Sequence, residues 1–286
     1  MAKGRELKGR IKSVENTRKI TRTMEMVATS KMKRAQDRVI AARPYANALR
    51  EVIANLYSPE LAERYPLLRQ PAATRRVAVL LLTSNRGLAG AFNANLIREA
   101  RNLVARLEKE GAEVELHAVG RKGIGYFKYV GRALATARTD LTDRPTATDA
   151  ANLVDRAMED FVSGRLDAVY VVYAQFRTAI STPPASMQVL PVSPPETKGP
   201  QRDFLLFPSA EAILGELLPL YVRNSVYRAL VETVAAEQGA RRTAMKNATD
   251  NASDMLTVLR RNFNRARQAQ ITQEIAEIVG GAAALE

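Results

Sequence analysis

The stretch that decides the fold runs from Arg5 to Leu56 and reads RELKGRIKSVENTRKITRTMEMVATSKMKRAQDRVIAARPYANALREVIANL. Steps of four and three residues along it meet mainly apolar or small side chains. These are Leu7, Ile11, Val14, Ala28, Met32, Ala35, Val39, Ala42, Ala46, Leu49, Ile53 and Leu56. A 3.5-residue repeat kept over about seven heptads is typical of a coiled-coil seam. The stretch predicts one helix, roughly 75 Å long at 1.5 Å per residue, whose seam needs a partner.

The repeat changes character near its middle. Three positions of the seam are polar, namely Arg18, Thr21 and Glu25. A shifted apolar stripe lies beside them, at Ile20, Met24 and Val27. We interpret the shift as a stutter, a local change of phase in the heptad pattern. Pro44, inside the helix, is expected to bend it or to loosen one turn.

A second long helix is predicted from about Ser209 to Val279. Apolar and small residues recur along it at helical spacing, at Ile213, Leu217, Leu220, Tyr227, Leu230, Val234, Met245, Ala248, Ala252, Met255, Leu259, Phe263 and Ala266. About 70 residues extend roughly 105 Å. We expect the two helices to pair as an antiparallel coiled coil, and the apolar end of the longer one, Ile275–Leu285, to extend past its partner and to be surrounded by another protein.

The segment between the helices alternates strands and helices. Strands are predicted over 76–83, 114–120, 133–138 and 167–176, with an edge strand near 187–192, and helices over 93–110, 122–130 and 146–163. This alternation predicts a Rossmann-like open α/β sheet that is mostly parallel. The fold class is therefore α/β with a long coiled coil from the two termini. The expected domains are 1–60 (coiled-coil helix), 70–200 (α/β domain) and 209–286 (coiled-coil helix).

Composition excludes several kinds of site. The 286 residues include no Cys and a single His, so a disulfide, a thiolate metal site and a two-histidine metal site are excluded. No apolar run reaches the roughly 18 residues of a membrane span, and the N-terminus lacks the apolar core of a secretory signal. We predict no cofactor, no metal and no catalytic residue in this chain.

The net charge of +13 is concentrated at one end. Residues 1–50 hold 14 basic and 4 acidic residues, whereas residues 210–286 hold 9 of each. An excess in one helix predicts an acidic partner, which could be nucleic acid, an anionic membrane surface or an acidic protein loop. A solvated helix face is the alternative interpretation.

Three features of the middle segment could carry chemistry. SNRGLAG (Ser84–Gly90) and GRKGIG (Gly120–Gly125) each follow a predicted strand and precede a helix, where α/β proteins bind phosphate. Neither has the spacing of a P-loop or a dinucleotide fingerprint, so we interpret both as strand-to-helix turns. His117 has no recognisable Ser or Asp partner and is interpreted as structural.

Two terminal blocks carry a resemblance to a known family. Ile11–Gln36 (IKSVENTRKITRTMEMVATSKMKRAQ), with RPYA at Arg43–Ala46, resembles the gamma subunits of F-type ATP synthases. So do EQGARRTAMKNATDNA at Glu237–Ala252 and NRARQAQITQEIAEIVGGAAAL at Asn264–Leu285. The resemblance covers the whole chain in order. It departs at Asn85 and Ala89, where family members often have Asp and Cys, and the missing Cys excludes the thiol switch of chloroplast members.

The resemblance implies a central rotor shaft, present once in each complex of a bacterial ATP synthase. Its coiled coil would stand inside a hexamer of alpha and beta subunits, and its α/β domain would rest on the c-ring beside the epsilon subunit. Catalytic sites would lie on beta. The complex would sit peripherally on the cytoplasmic face of the plasma membrane, with proton flow driving rotation.

The resemblance also assigns residues. The contact with beta would use Met24, Arg267, Gln268 and Thr272. The basic shaft face would consist of Arg10, Lys12, Arg18, Lys19 and Arg22. The foot on the c-ring and epsilon would include Lys31, Lys33, Phe204 and Phe207. The upper bearing would use Ile275, Ile278, Val279 and Leu285.

Two alternatives from other classes are discriminated by simple observations. A nucleic-acid-binding coiled-coil protein would bind duplex with a steep salt dependence. A Rossmann-type nucleotide enzyme would bind nucleotide as an isolated chain.

Overall fold

The computed structural model describes residues 2–56, 64–71, 73–178, 181–193 and 210–283. Its helices are α1 (Ala2–Leu56), α2 (Phe92–Lys109), α3 (Arg121–Tyr129), α4 (Ala147–Val162) and α5 (Ala210–Ala283), with a 3₁₀ turn at Pro66–Leu68. Its strands are β1 (Arg76–Leu82), β2 (Glu113–Val119), β3 (Thr136–Arg138), β4 (Ala168–Ala174) and β5 (Pro184–Leu190). The chain forms two compact units, one of residues 1–28 with 241–286, and one of residues 29–240.

The first unit, which we call the helix-pair unit, is an antiparallel pair. The Thr249 hydroxyl bonds the Thr21 hydroxyl at 2.8 Å, and further along the pair Arg260 Nη2 lies 2.5 Å from Glu15 Oε1. Contacts that move forward on α5 therefore move backward on α1. Both helices rise by about 1.5 Å per residue, so the same register places the start of α1 opposite about residue 270 of α5. The rest of α5 extends beyond α1. Every residue from Ile271 to Gly280 is exposed, which confirms the expected unpaired end of α5.

The predicted seam of α1 is correct along its whole length. All 15 positions reached by alternating steps of four and three from Leu7 to Leu56 are buried or half-buried. α1 continues through Pro44 without interruption. The seam period therefore predicted which side of this helix is covered.

The predicted stutter is wrong. Thr21 is buried, whereas Ile20 and Val27 of the shifted stripe are 60% and 51% exposed. The heptad phase is unbroken, and its polar positions are accommodated because Thr21 finds a hydroxyl partner across the seam. Two residues of the stripe that suggested a stutter, Ile20 and Val27, face away from the seam, and Met24 is half-buried beside it.

The second unit, the α/β unit, contains a five-stranded sheet in the order β3-β2-β1-β4-β5. β1 pairs in parallel with β2 and β4, β2 pairs in parallel with β3, and β5 is antiparallel to β4 at the edge. This confirms the predicted open sheet and the predicted edge strand. Six of the seven residues of β1 are buried, as expected for a central parallel strand that is covered on both faces.

The two faces of β1 contact different layers. Val77, Val79 and Leu81 join a core with α2, and Ala78, Leu80 and Leu82 join a core with α4. Residues of α1 and α5 that belong to this unit enter both cores, so the long helices are part of its packing. α4 begins with a capping box, because Thr146 and Asp149 each accept a hydrogen bond from the other's backbone N–H.

α5 is fixed to the sheet by buried polar contacts at the end of β4. The Ala174 N–H donates to Thr233 Oγ1 at 3.3 Å, and the Phe176 N–H donates to Glu232 Oε2 at 3.2 Å. Both side chains are buried, at 6% and 8% exposure. The carboxyl ends of β1 and β4 flank the point where strand order reverses, which is the usual ligand crevice of such sheets. Here the side chains of α5 accept the backbone N–H groups at the end of β4.

Burial raises the pKa of Glu232, and this shift is opposed by Arg228 and by the Phe176 N–H. Arg228 Nε lies 3.3 Å from Glu232 Oε1. Because the folded state binds the proton more tightly than the unfolded state, this group contributes stability at low pH that is lost as pH rises through its folded pKa.

Glu232→Gln provides a test of this linkage. Gln keeps an acceptor for the Phe176 N–H but does not ionise. We expect the free energy of unfolding of the variant to improve relative to wild type as pH rises from about 4 to 7, by about 1.4 kcal/mol for each pH unit of pKa displacement. Denaturant unfolding across this range measures it. The exposed Glu216→Gln is the control for loss of one carboxylate, and an equal pH trend in both variants would contradict the assignment.

The seam phase is tested by a pair of neighbouring substitutions. Ala28 is 1% exposed and Val27 is 51% exposed. Ala28→Leu should lower the free energy of unfolding by about 1–3 kcal/mol through overpacking, whereas Val27→Leu should stay within about 0.5 kcal/mol. Thermal unfolding of the full chain measures both. A larger loss of stability in Val27→Leu than in Ala28→Leu would contradict this assignment and support the stutter.

Candidate functional site

The two glycine-containing loops lie together at the carboxyl ends of β1 and β2. The first three backbone N–H groups of α3 are already bonded within the protein. Arg121 N–H donates to Asn85 Oδ1 at 3.1 Å, Lys122 N–H to the Ser84 carbonyl at 3.2 Å, and Gly123 N–H to Thr83 Oγ1 at 3.0 Å. A helix N-terminus binds phosphate through N–H groups that are free to donate, and these are occupied. The first segment lies between β1 and α2, and the second joins β2 to α3, so the structure confirms that both are strand-to-helix turns.

Close approach explains the glycine that begins the second loop. Gly120 has φ +95°, and a Cβ atom there would lie 2.2 Å from the Thr83 carbonyl oxygen. Only glycine permits this contact of β2 with β1. A cavity of about 450 Å³ remains beside these loops, lined by residues of both turns, the 139–145 loop and α5.

His117 has a structural environment. Its Nδ1 lies 2.9 Å from Thr136 Oγ1 on the neighbouring strand, and Nε2 lies 3.8 Å from Glu115. Burial lowers the pKa of His117, so the ring favours the neutral form. In the part of the chain that the structure describes, no three His, Cys, Asp or Glu side chains are grouped to hold a metal ion.

The residues predicted to contact other subunits lie mainly in the helix-pair unit. Lys12, Lys19, Arg22, Arg267, Gln268 and Thr272 are exposed, and Arg18 and Met24 are half-buried beside the seam. Arg10 pairs with Glu6 at 2.8 Å within one turn. The Thr272 hydroxyl donates to the Gln268 carbonyl at 3.0 Å, one turn earlier on α5. This unit therefore presents a cationic and polar surface.

The same unit also carries exposed apolar side chains. Ile275, Ile278 and Val279 of the predicted bearing are 56%, 72% and 62% exposed. Six further apolar side chains were not predicted as contacts and are 47% to 60% exposed, namely Ile20, Met26, Val27, Met255, Val258 and Ile271. Ile20 and Val27 had been assigned to the stutter, and Met255 had been predicted as part of the apolar stripe of α5, which its 54% exposure contradicts. Apolar side chains exposed at this density indicate an interaction surface.

The predicted foot residues have mixed outcomes. Lys31 and Lys33, in the α/β unit, are engaged in ion pairs, with Asp143 at 2.5 Å and with Asp37 at 3.0 Å respectively. Phe204, Phe207 and the bearing residue Leu285 lie outside the described residues. Among the helices that the structure describes, none is long and apolar enough to cross a membrane.

Comparison with known proteins agrees with this architecture. Residues 3–285 match the family described as ATP synthase. The ATP synthase gamma chain of Gemmatimonas aurantiaca is 68% identical over 289 residues and covers both chains fully. The gamma chain of Leptospira biflexa is 44% identical over 288 residues, again with full coverage of both chains.

Solved structures show the same fold. A chain of the central stalk and c-ring of the Tetrahymena thermophila mitochondrial ATP synthase has a TM-score of 0.62 and 25% identity, covering 80% of this chain and 99% of that one. A chain of the Euglena gracilis mitochondrial ATP synthase has a TM-score of 0.68 and 20% identity, covering 99% and 95%. The agreement in sequence over the full length and in fold shows that this chain belongs to the ATP synthase gamma-chain family.

Proposed function

We propose that this protein is the central rotor shaft of an F-type ATP synthase. It couples proton-driven rotation of the c-ring to ATP synthesis and hydrolysis at catalytic sites on beta subunits. The observation that carries this proposal is the helix-pair unit, a narrow two-helix structure whose outward surface is both cationic and apolar. Membership of the gamma-chain family supports it.

The physical basis of coupling is the asymmetry of the helix pair. One side carries the basic residues of α1, and the end of α5 has no partner helix. When an asymmetric body turns inside a threefold ring, each catalytic subunit meets a different face in turn. A contact that differs between orientations changes the nucleotide affinity of that subunit, which is a coupling free energy between rotation and binding.

The surfaces of this chain fit different partners under the proposal. Met24, Arg267, Gln268 and Thr272 contact beta, whose acidic elements attract the basic face. Ile275, Ile278, Val279 and Leu285 form the upper bearing inside the alpha and beta hexamer. Lys31, Lys33, Phe204 and Phe207 contribute to the foot on the c-ring and epsilon.

The proposal also includes the arrangement in the cell. Each complex contains one copy of this chain. Segments 1–60 and 209–286 form the shaft, and segment 70–200 forms the foot domain. The assembly is a peripheral complex on the cytoplasmic face of a bacterial plasma membrane. No nucleic acid partner takes part. The chain itself is non-catalytic.

Co-purification tests the proposal directly. A tagged full-length chain should purify from membranes with alpha and beta in threefold excess, and ATP should rotate a probe attached to it. Recovery with nucleic acid, or nucleotide binding by the isolated chain without partners, would replace the proposal with one of the two alternatives.

Salt dependence tests the basic face in the same assembly. Neutralising Arg10, Lys12, Arg18, Lys19 and Arg22 together should weaken association with alpha and beta at low salt, and the difference from wild type should shrink as salt is added. Association constants measured over a salt series report this. A constant that is the same for both proteins at every salt concentration would exclude charge as the contact.

The exposed end of α5 makes a separable prediction. Replacing Ile275, Ile278 and Val279 with Ser should leave thermal unfolding of the isolated chain within about 0.5 kcal/mol. Dissociation of the assembled complex should rise about tenfold, because apolar contacts worth roughly 25 cal/mol per Å² are lost. Leu256→Ala, at a buried site on the same helix, should instead destabilise the isolated chain by about 2–5 kcal/mol. Destabilisation of the isolated chain by the Ser variant would show that this end packs internally.

A further inference from the structure

The loop between β3 and α4 is held in place by the SNRGLAG turn. Asn85 Nδ2 donates to the carbonyl oxygens of Thr139 and Leu141, at 3.0 and 3.1 Å. Asn85 Oδ1 in turn accepts the Arg121 N–H, so this side chain joins the two glycine-containing turns to the loop. The SNRGLAG turn therefore has a structural role, which is to hold the 139–145 loop.

Two further contacts fix the ends of the same loop. At its start, Arg138 donates to both carboxylate oxygens of Asp140, at 3.1 and 2.6 Å. At its end, the capping box of Thr146 and Asp149 closes with hydrogen bonds of 2.8 and 3.2 Å. A short segment bonded at both ends has little conformational entropy left to lose when it makes another contact.

The middle of the loop reaches α1. Asp143 Oδ2 accepts a hydrogen bond from Lys31 Nζ at 2.5 Å, and the two side chains are 40% and 31% exposed. The neighbouring buried residues of α1 in this unit, Met32, Ala35 and Val39, are apolar. The buried seam sets which side of α1 faces the sheet, and an ion pair to a fixed carboxylate limits the rotation that this packing still allows.

We infer that Asp143 is a positioning residue that fixes the rotational setting of α1 against the α/β unit through Lys31. The inference rests on the proposed function, in which torque from the foot must reach α1 without slip. In that setting Lys31 acts inside the chain, in addition to any contact it makes with the c-ring or epsilon. The Asn85 side chain contributes by holding the loop that presents the carboxylate.

An exposed ion pair contributes little to global stability, so its role is separable from folding. Slip at α1 would be driven by load, and would therefore appear when the rotor works against a proton gradient. Hydrolysis by the detached alpha, beta and gamma assembly requires no such load. A structural defect would lower both proton pumping and ATP hydrolysis by the detached assembly. Loss of a positioning contact should lower only proton pumping against a gradient.

The experiment uses the complete membrane-bound complex with Asp143→Asn. The slipped population should rise about twofold to fivefold, the factor that loss of one partly exposed ion pair produces in a two-state equilibrium, and protons pumped for each ATP hydrolysed should fall against a steep gradient. The fall should be smaller at a shallow gradient. ATP hydrolysis by the detached assembly and the thermal midpoint should stay at wild-type values. The swap of Lys31→Asp with Asp143→Lys should recover more pumping than Lys31→Asp alone.

Glu108→Gln is the matched control, because it breaks the Arg132–Glu108 pair, which has a similar exposure but does not involve α1. This control should pump as wild type. Wild-type pumping by Asp143→Asn at every gradient, an equal loss in the control, or no recovery in the swap would overturn the inference. Failure of the wild-type chain to co-purify with alpha and beta would instead remove the proposed function, so the two failures are distinct.

Discussion

The seam on α1 is the constraint on which the rest of the structure depends. A long helix with one apolar stripe gains most of its stability from covering that stripe, since helix propensity alone is marginal. In the helix-pair unit the cover is the α5 helix, and in the α/β unit it is the packing of α1 into the cores of the sheet. The buried seam residues of the helix-pair unit include Ala28, Ala252 and the bonded pair Thr21 and Thr249, which are small enough for close approach of two helices.

A narrow seam leaves the outward surface available for other uses. Two helices bury only the residues that face each other, so Ile20, Met26 and Val27 remain exposed beside cations. In a monomeric protein such residues would be a liability for aggregation. In a subunit that rotates inside a ring of partners, these exposed apolar side chains form a contact surface. Such a surface does not need a defined binding or catalytic site.

The α/β unit uses a fold that often binds ligands, but several polar groups at the carboxyl ends of its strands are bonded within the chain. Glu232 and Thr233 accept the backbone N–H groups at the end of β4, and the turns after β1 and β2 bond to each other. Each of these donors could serve a ligand in another protein of the same topology. Function therefore depends on the site and not on the fold, and here the groups fasten a helix and a loop.

The order and type of the elements could be predicted from the sequence, because periodicity and strand composition are local properties. The seam residues of α1 and the sheet with its edge strand follow from local spacing and composition. The stutter was wrong because two apolar stripes on one helix have the same period, and only the position of a partner decides which is covered. The exposed stripe was consequently missed as a contact surface.

The sequence by itself determined the set of helices and strands and the family of the protein. The elements follow from residues that lie close together in the chain, and the family follows from matching sequence blocks. Only the tertiary structure decided which stripe of α1 faces inward, that Glu232 bonds a residue 56 positions away, and that Lys31 bonds one 112 positions away. The reason is that a hydrogen bond needs two atoms within about 3 Å in a suitable direction. That condition is set by the packing of distant segments and leaves no periodic trace along the chain.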